Sequence, residues 1–180
     1  MRAIEPAYEN WLAREDAPKN LAWFAGYASI RAAERWRQSN LPREAEAAYD
    51  RALAHYASVI EADPSTEVSS KVYMSFALAG RARIKMETQD LDGALADLLA
   101  ALETSPESAA LLDGLELSAY VTSITLRARL LEAGKDADAA ELAAAVATLP
   151  ENARRRPAYD TPGAPSADAS RFGGGPGGDR

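Results

Sequence analysis

The stretch RARIKMETQDLDGA, residues 81–94, places two arginines and two aspartates on either side of a break in a helical pattern. The same spacing returns 46 residues earlier and 46 residues later, with Arg35, Arg37, Glu44 and Glu46 in the first copy and Arg127, Arg129, Asp136 and Asp138 in the third. A fixed period of this length is typical of a helical solenoid, whose repeats bury their apolar faces only by stacking on their neighbours. The sequence therefore predicts an all-α stack of three units that offers a surface to a partner.

Each predicted unit contains two antiparallel helices, A and then B, joined by a short turn. Apolar residues recur at helical spacing, and no segment alternates as a strand would, so we expect no sheet. Prolines end the units, because proline cannot continue the preceding helix and disfavours a helical residue before it. The predicted helices are A1 at 20–38, B1 at 42–61, A2 at 67–88, B2 at 90–104, A3 at 108–133 and B3 at 136–148.

The predicted repeat domain covers residues 1–150. It contains a leading half-repeat at 5–18 with a helix at 5–15, unit 1 at 19–64, unit 2 at 65–106 and unit 3 at 107–150, so the chain is expected to begin in mid-repeat. The segment 151–180 holds 6 of the 11 glycines and 4 of the 10 prolines. Its apolar surface is too small to offset the entropy of ordering, so we predict a disordered Pro/Gly-rich tail, most clearly over 157–180.

Charge and composition exclude several function classes. The first 150 residues carry 15 basic and 23 acidic groups, which argues against a nucleic-acid or membrane-surface partner, since both require a basic face. The chain has no cysteine, so disulfides, thiolate metal sites and cysteine nucleophiles are excluded. No signal peptide and no apolar run of membrane-spanning length occurs in the sequence, so we expect a cytoplasmic protein.

The stretch from Ala82 to Pro106 resembles the tetratricopeptide repeat from its eighth position to its final proline. Ala82 and Ala94 match the two small positions where helices A and B cross, and Leu98, Ala101 and Pro106 match the large, small and proline positions downstream. The resemblance is close over 76–106 and looser over 5–150. The period is 46 residues, not about 34, so the helices are predicted to be longer by one to two turns. By period alone a HEAT or armadillo solenoid stays open.

The resemblance implies a concave groove lined by A helices. The residues just after the small crossing position would face that groove, and here they are Arg37, Arg83 and Arg129. Ile30 and Phe76, one or two turns earlier, would add apolar contact. Guanidinium groups bind carboxylates bidentately, so the predicted function is a non-enzymatic adaptor that holds an acidic peptide or helix of another protein.

One specialised form of the family, the clamp for the acidic tails of chaperones, is not expected. It requires basic or amide side chains at five A-helix positions. Only one of the five equivalents has such a side chain here; the equivalents are Ala33, Arg37, Gly80, Thr122 and Leu126.

The repeated charges also have a structural interpretation. Arginines near the C-terminal ends of A helices and acids at the start of B helices lie where the helix dipoles favour them. Ion pairs between them would staple the stack, each contributing about 0–1 kcal/mol if exposed. In this alternative the protein is a structural subunit that assembles through the ends of its solenoid. The alanine-rich helix at 136–149 lacks a polar outer face, so a homodimer or a partner contact through it is a further hypothesis.

No arrangement of residues suggests catalysis. His55 is the only histidine, and a lone histidine on a helix is more often a packing or surface residue. No nucleophile elbow, phosphate loop or metal-ligand set is present, so we predict no enzyme, cofactor or metal. Aromatic residues gather near the N-terminus and are predicted to form core, with an exposed docking patch as the alternative; they are Trp11, Trp23, Phe24, Tyr27 and Trp36.

Overall fold

The structure, a computed structural model, describes residues 4–14, 16, 18, 20–110 and 118–154, without the side chains of residues 4–6 and 9. Within these residues the chain is all-helical, which confirms the predicted class. Apart from the start of A3, the predicted helix ends agree with the observed ones to within three residues. The described α-helices are α1 (Ile4–Leu12), α2 (Leu21–Gln38), α3 (Pro42–Ala62), α4 (Glu67–Glu87), α5 (Leu91–Thr104), α6 (Ala119–Glu132) and α7 (Asp136–Ala147).

The helices pack as successive hairpins. The predicted A helices are α2, α4 and α6, and each packs against the B helix that follows it, α3, α5 or α7. Each hairpin contacts the next through α3 with α4 and α5 with α6, and the A helices also contact one another in chain order. The apolar core therefore lies between hairpins as well as inside them, in one cluster built around α3 and another that extends from α4 to α7.

The turn inside each hairpin has a left-handed residue. A backbone hydrogen bond between residues five positions apart closes each turn, as from Asp90 N to Lys85 O at 2.8 Å. This is the pattern of a Schellman motif. This motif satisfies carbonyl groups that the helix end would leave without a donor. The left-handed residues are Asn40, Gln89 and Gly134, with φ of 58°, 67° and 71°.

Proline marks the boundary after each unit, as predicted. Pro64 and Pro106 each begin a 3₁₀ turn, over Pro64–Thr66 and Pro106–Ser108. A third such turn, Glu151–Arg154, directly follows Pro150. The boundaries therefore recur at the ends of α3, α5 and α7, where the chain changes direction.

The predicted start of helix A3 at residue 108 was wrong, since α6 begins at Ala119. Ser118 has an extended backbone, with φ −132° and ψ 122°, and its hydroxyl accepts a hydrogen bond from Val121 N. The same hydroxyl donates to the carbonyl oxygen of Ala109 at 2.9 Å. A serine N-cap of this kind sets the first turn of a helix, and the apolar pattern upstream of it does not continue into α6.

The predicted tail also began too early. Glu151–Arg154 forms a 3₁₀ turn, and Ala153 is buried in the cluster that contains Leu149. The turn also contacts the 3₁₀ turn Pro106–Ser108, so tertiary packing orders these four residues. The remaining predicted tail, 155–180, lies outside the described residues.

Among the described residues, no helix combines the length and the apolar character needed to cross a bilayer.

Candidate functional site

The three predicted groove arginines form a row across the C-terminal ends of α2, α4 and α6. Arg37 Nη1 donates to Glu87 Oε1 on α4 at 2.8 Å. Arg129 Nη1 donates to the main-chain oxygen of Met86, the residue before Glu87, at 2.9 Å. Arg83 lies between them on α4. The structure thus brings the arginines together, but two of them bond to groups on a neighbouring A helix.

A buried carboxylate, Glu34 on α2, lies beside this row. Glu34 as a whole residue is 3 % exposed. The hydroxyl of Tyr49 on α3 donates to Oε1 at 2.6 Å, and Arg37 donates from Nε and Nη2 to Oε2, each at 3.2 Å. Arg83 Nη1 lies 3.9 Å from Oε1. Because a buried carboxylate is tolerated only when it is paired and hydrogen-bonded, Glu34 ties α2, α3 and α4 together.

The network shifts the ionisation of its own members. Burial lowers the pKa of Arg37, but the hydrogen bonds and charges of Glu34 and Glu87 raise it more, so the net pKa lies above its ordinary value. Burial, followed by the negative charge of Glu34, raises the pKa of the Tyr49 hydroxyl well above its ordinary value. Both shifts keep the guanidinium charged and the phenol protonated, as their roles as donors require.

A second buried carboxylate, Asp97 on α5, joins the next set of helices. Arg81 on α4 binds it bidentately, from Nε at 2.9 Å and Nη2 at 2.6 Å, and Lys85 Nζ lies 2.9 Å from it. Arg81 also pairs with Asp50 on α3. The hydrogen bonds that Arg81 donates to Asp97 are the main reason that the pKa of Arg81 is raised, and burial opposes this shift. The cluster therefore links α3, α4 and α5.

The repeat acids were expected to pair with the repeat arginines, and across the described part of the chain they do not. Asp90 instead caps α5, accepting a hydrogen bond from Gly93 N at 2.9 Å. Lys135 pairs with Asp92 at 2.5 Å and with Asp138 at 3.1 Å. The arginines use Glu34, Glu87, Asp50 and Asp97, acids outside the repeated signature. One feature of the sequence indicated that Glu34 pairs with Arg37: the two residues lie three positions apart on the same helix, where side chains are neighbours.

Ile30 and Phe76 do not line an open groove. They are 0 % and 5 % exposed and belong to the cluster around α3 that contains Tyr49 and Tyr56. The prediction that they contact a partner therefore does not fit this structure.

The N-terminal aromatic residues divide into core and surface. Trp23 is partly buried and packs edge-on against Tyr73 and Tyr56, with ring centroids 4.9 Å and 6.0 Å away, so it lies against the cluster around α3. Trp11 and Phe24 are exposed. A shallow pocket of about 280 Å³ adjoins this end and is lined by Ala7, Tyr8, Trp11 and Leu21.

The opposite end of the helix stack carries a larger groove, of about 550 Å³, between α6 and α7. Two of its apolar lining residues, Ile124 and Leu131, are 55 % and 46 % exposed. Its charged lining residues are Arg127 and Arg154. We name this surface the end groove. It includes part of the α7 face on which a homodimer was hypothesised.

Neither a metal centre nor a known family accounts for these surfaces. In the described segments, no group of three or more histidine, aspartate and glutamate side chains is placed to hold a metal ion. His55 is half-buried on α3. No family model, curated protein or solved structure matches the chain.

Proposed function

We propose that this protein is a non-catalytic helical scaffold that binds another protein at one end of a three-unit solenoid. One observation carries the proposal: the end groove exposes Ile124 and Leu131, at 55 % and 46 %, on a face of α6 and α7 that no other described helix covers. Large apolar side chains gathered in one open groove are typical of protein-binding surfaces. The non-enzymatic role and the cytoplasmic location stay predictions.

The solenoid itself is part of the proposal. It is supported by the contacts that link α2 to α4 and α4 to α6, in the same order as the repeats of the sequence. The tetratricopeptide type is supported by Ala82 and Ala94, both fully buried at the predicted crossing of α4 and α5. Small residues there allow two helices to approach closely, which a stack of hairpins requires.

In this proposal the repeated arginines stabilise the stack and do not contact the partner. Arg37 and Arg129 each donate across the interface between two A helices. Arg81 does the same between A and B helices. This favours a structural role for the arginines, with acids outside the signature as their partners, and leaves the ends of the solenoid for assembly.

A second candidate is the binding of an acidic peptide along the row of arginines. It is favoured by Arg83, whose Nη1 is buried without a hydrogen-bond partner within the described part of the chain. A buried hydrogen-bond donor without a partner costs about 1–3 kcal/mol. The Arg83 side chain is 25 % exposed, so an outward turn of its guanidinium would let a partner's carboxylate recover that cost.

The first part of the test concerns stability. The double variant Arg37→Gln with Arg129→Gln should lower the free energy of unfolding by about 2–3 kcal/mol, because it removes charged hydrogen bonds from the buried Glu34 and from the Met86 carbonyl. Arg35→Gln is the matched control, since Arg35 is exposed, and it should change stability by less than about 0.5 kcal/mol. Urea unfolding measures both.

The second part concerns binding. Affinity capture from extracts of the source cells should recover a partner with the unaltered chain and with Arg83→Gln, but not with Ile124→Asp. Circular dichroism checks that all three proteins are folded. Partner recovery lost with Arg83→Gln and kept with Ile124→Asp would contradict the proposal and favour the acidic-peptide candidate.

A further inference from the structure

The end groove is formed in part by residues of unit 3 whose equivalents in unit 2 are covered by the next A helix. Leu78 and Ala82 of α4 stand 46 residues before Ile124 and Ala128 of α6. In unit 2, α6 packs against α4, and both residues are buried in a cluster that includes Leu126, with Leu78 8 % exposed. In unit 3 the equivalent Ile124 and Ala128 are exposed. Unit 3 therefore presents the surface that receives an A helix in the preceding unit.

The groove also contains an arginine that lacks the acidic partners of its unit 2 equivalent. Arg127 is the unit 3 equivalent of Arg81, which two aspartates hold. In unit 3 alanines replace both aspartates, and no described acid pairs with Arg127, which is exposed. The aspartates are Asp50 and Asp97, and their equivalents are Ala96 and Ala143.

The charge of the groove is opposite to that of the protein. The chain has a formal net charge of −7, whereas the charged lining residues of the groove are Arg127 and Arg154. A symmetric dimer through this face would bring two such arginine pairs together, which is unfavourable between like charges. A partner that carries carboxylates is favoured, because guanidinium binds them in charge-assisted pairs.

We infer that the end groove takes an amphipathic helix of a partner protein, which packs as a fourth A helix and places a carboxylate on Arg127. The inference rests on the proposed function and adds the chemistry of the partner. The apolar side of the partner helix covers Ile124, Leu131 and Val146. Acids one turn apart on the edge of that helix face Arg127 and Arg154, in the helix-in-groove mode of recognition.

The test uses the full chain and three designed helical peptides of about 18 residues, or five turns. All three have leucine and alanine on one face, and the other face is glutamate, glutamine or lysine. Titration of the isotope-labelled protein followed by NMR locates the binding, and calorimetry measures the affinity. The glutamate peptide should shift the amides of α6 and α7 around the groove and bind about tenfold more tightly than the glutamine peptide. The lysine peptide should bind least.

Two variants separate charge from apolar contact. Arg127→Gln should weaken binding of the glutamate peptide about tenfold and leave the glutamine peptide unchanged. The matched control is Arg35→Gln, the exposed unit 1 equivalent of Arg127, and it should leave both affinities unchanged.

The outcomes distinguish this inference from the proposed function. If the glutamate and glutamine peptides bind the groove equally and Arg127→Gln changes neither, the carboxylate partner is wrong while binding at this end stands. If no peptide shifts α6 or α7 at millimolar concentration, both are contradicted. Sedimentation velocity could instead show a dimer that the Ile124→Asp variant dissociates. That result would place a second copy of the chain in the groove and contradict the inference that a partner helix binds there.

Discussion

At the scale of single residues, two glycines make room for two tyrosines of α3. A side-chain carbon on Gly80 of α4 would overlap the ring and hydroxyl of Tyr49, and one on Gly26 of α2 would lie 2.8 Å from Cζ of Tyr56. Both tyrosines are fully buried. The absence of a side chain at these glycines therefore determines how closely α3 approaches the helices on either side, and it keeps Tyr49 within reach of Glu34.

Gly80→Ala should lower the free energy of unfolding by about 1–3 kcal/mol, because overlap with the Tyr49 ring outweighs the gain of about 1 kcal/mol from the better helix former. Gly26→Ala is the matched variant and should cost less, since its added carbon would lie 2.8 Å from Cζ of Tyr56, whereas the carbon added at Gly80 would lie closer still to the Tyr49 hydroxyl oxygen. Urea unfolding of both proteins measures the difference. A Gly80→Ala protein as stable as the unaltered chain would contradict the close approach.

At the scale of elements, the three hairpin turns share one backbone geometry with three different residues. The left-handed position is Asn40, Gln89 or Gly134. Only glycine adopts this conformation without steric cost, and asparagine tolerates it better than other residues. The turn between α4 and α5 is therefore strained at Gln89, whose φ is 67°.

Gln89→Gly should raise the free energy of unfolding by about 0.5–1 kcal/mol, since relief of the left-handed strain exceeds the added entropy of the unfolded chain. Thr88→Gly, one residue earlier at φ −92°, should lower it, because glycine adds entropy to the unfolded chain and removes the hydrogen bonds that the Thr88 hydroxyl donates to the main-chain oxygens of Ile84 and Lys85. Chemical denaturation measures both changes. Equal losses in the two variants would show that the turn has no strain to relieve.

At the scale of the whole molecule, positions one repeat apart have different surroundings among the described helices. Unit 2 lies between two hairpins, whereas unit 3 has a described neighbour on one side only. Leu78 and Ile124, equivalent by the period of 46 residues, are therefore buried and exposed respectively.

Leu78→Ala should lower the free energy of unfolding by about 2–4 kcal/mol, because it leaves a cavity between α4 and α6. Ile124→Ala should change it by less than about 0.5 kcal/mol, since Ile124 is solvent-exposed and alanine is the better helix former. The pair is its own control, as both replacements remove an apolar side chain at the same position of the repeat. A large loss in Ile124→Ala alone would contradict the order of the hairpins.

The helices and their boundaries were predictable because local chemistry specifies them. Apolar spacing, Pro42 at the first turn of α3 and prolines after each unit act over a few residues, so they have the same effect in any fold. The start of α6 was missed because apolar spacing around residue 108 does not reveal the break, and the cap at Ser118 depends on contact with Ala109.

The surroundings of the candidate site residues could not be predicted, because they depend on contacts between helices that are far apart in sequence. The repeat predicted that Arg37, Arg83 and Arg129 would share one row, but not that Glu34 would be buried beside two of them or that Ile30 and Phe76 would face α3. Local signals determine which residues are helical, because backbone hydrogen bonds in a helix join near neighbours. Burial and ion pairing join residues far apart in sequence, such as Arg37 and Glu87, so they follow only from the packing of the hairpins.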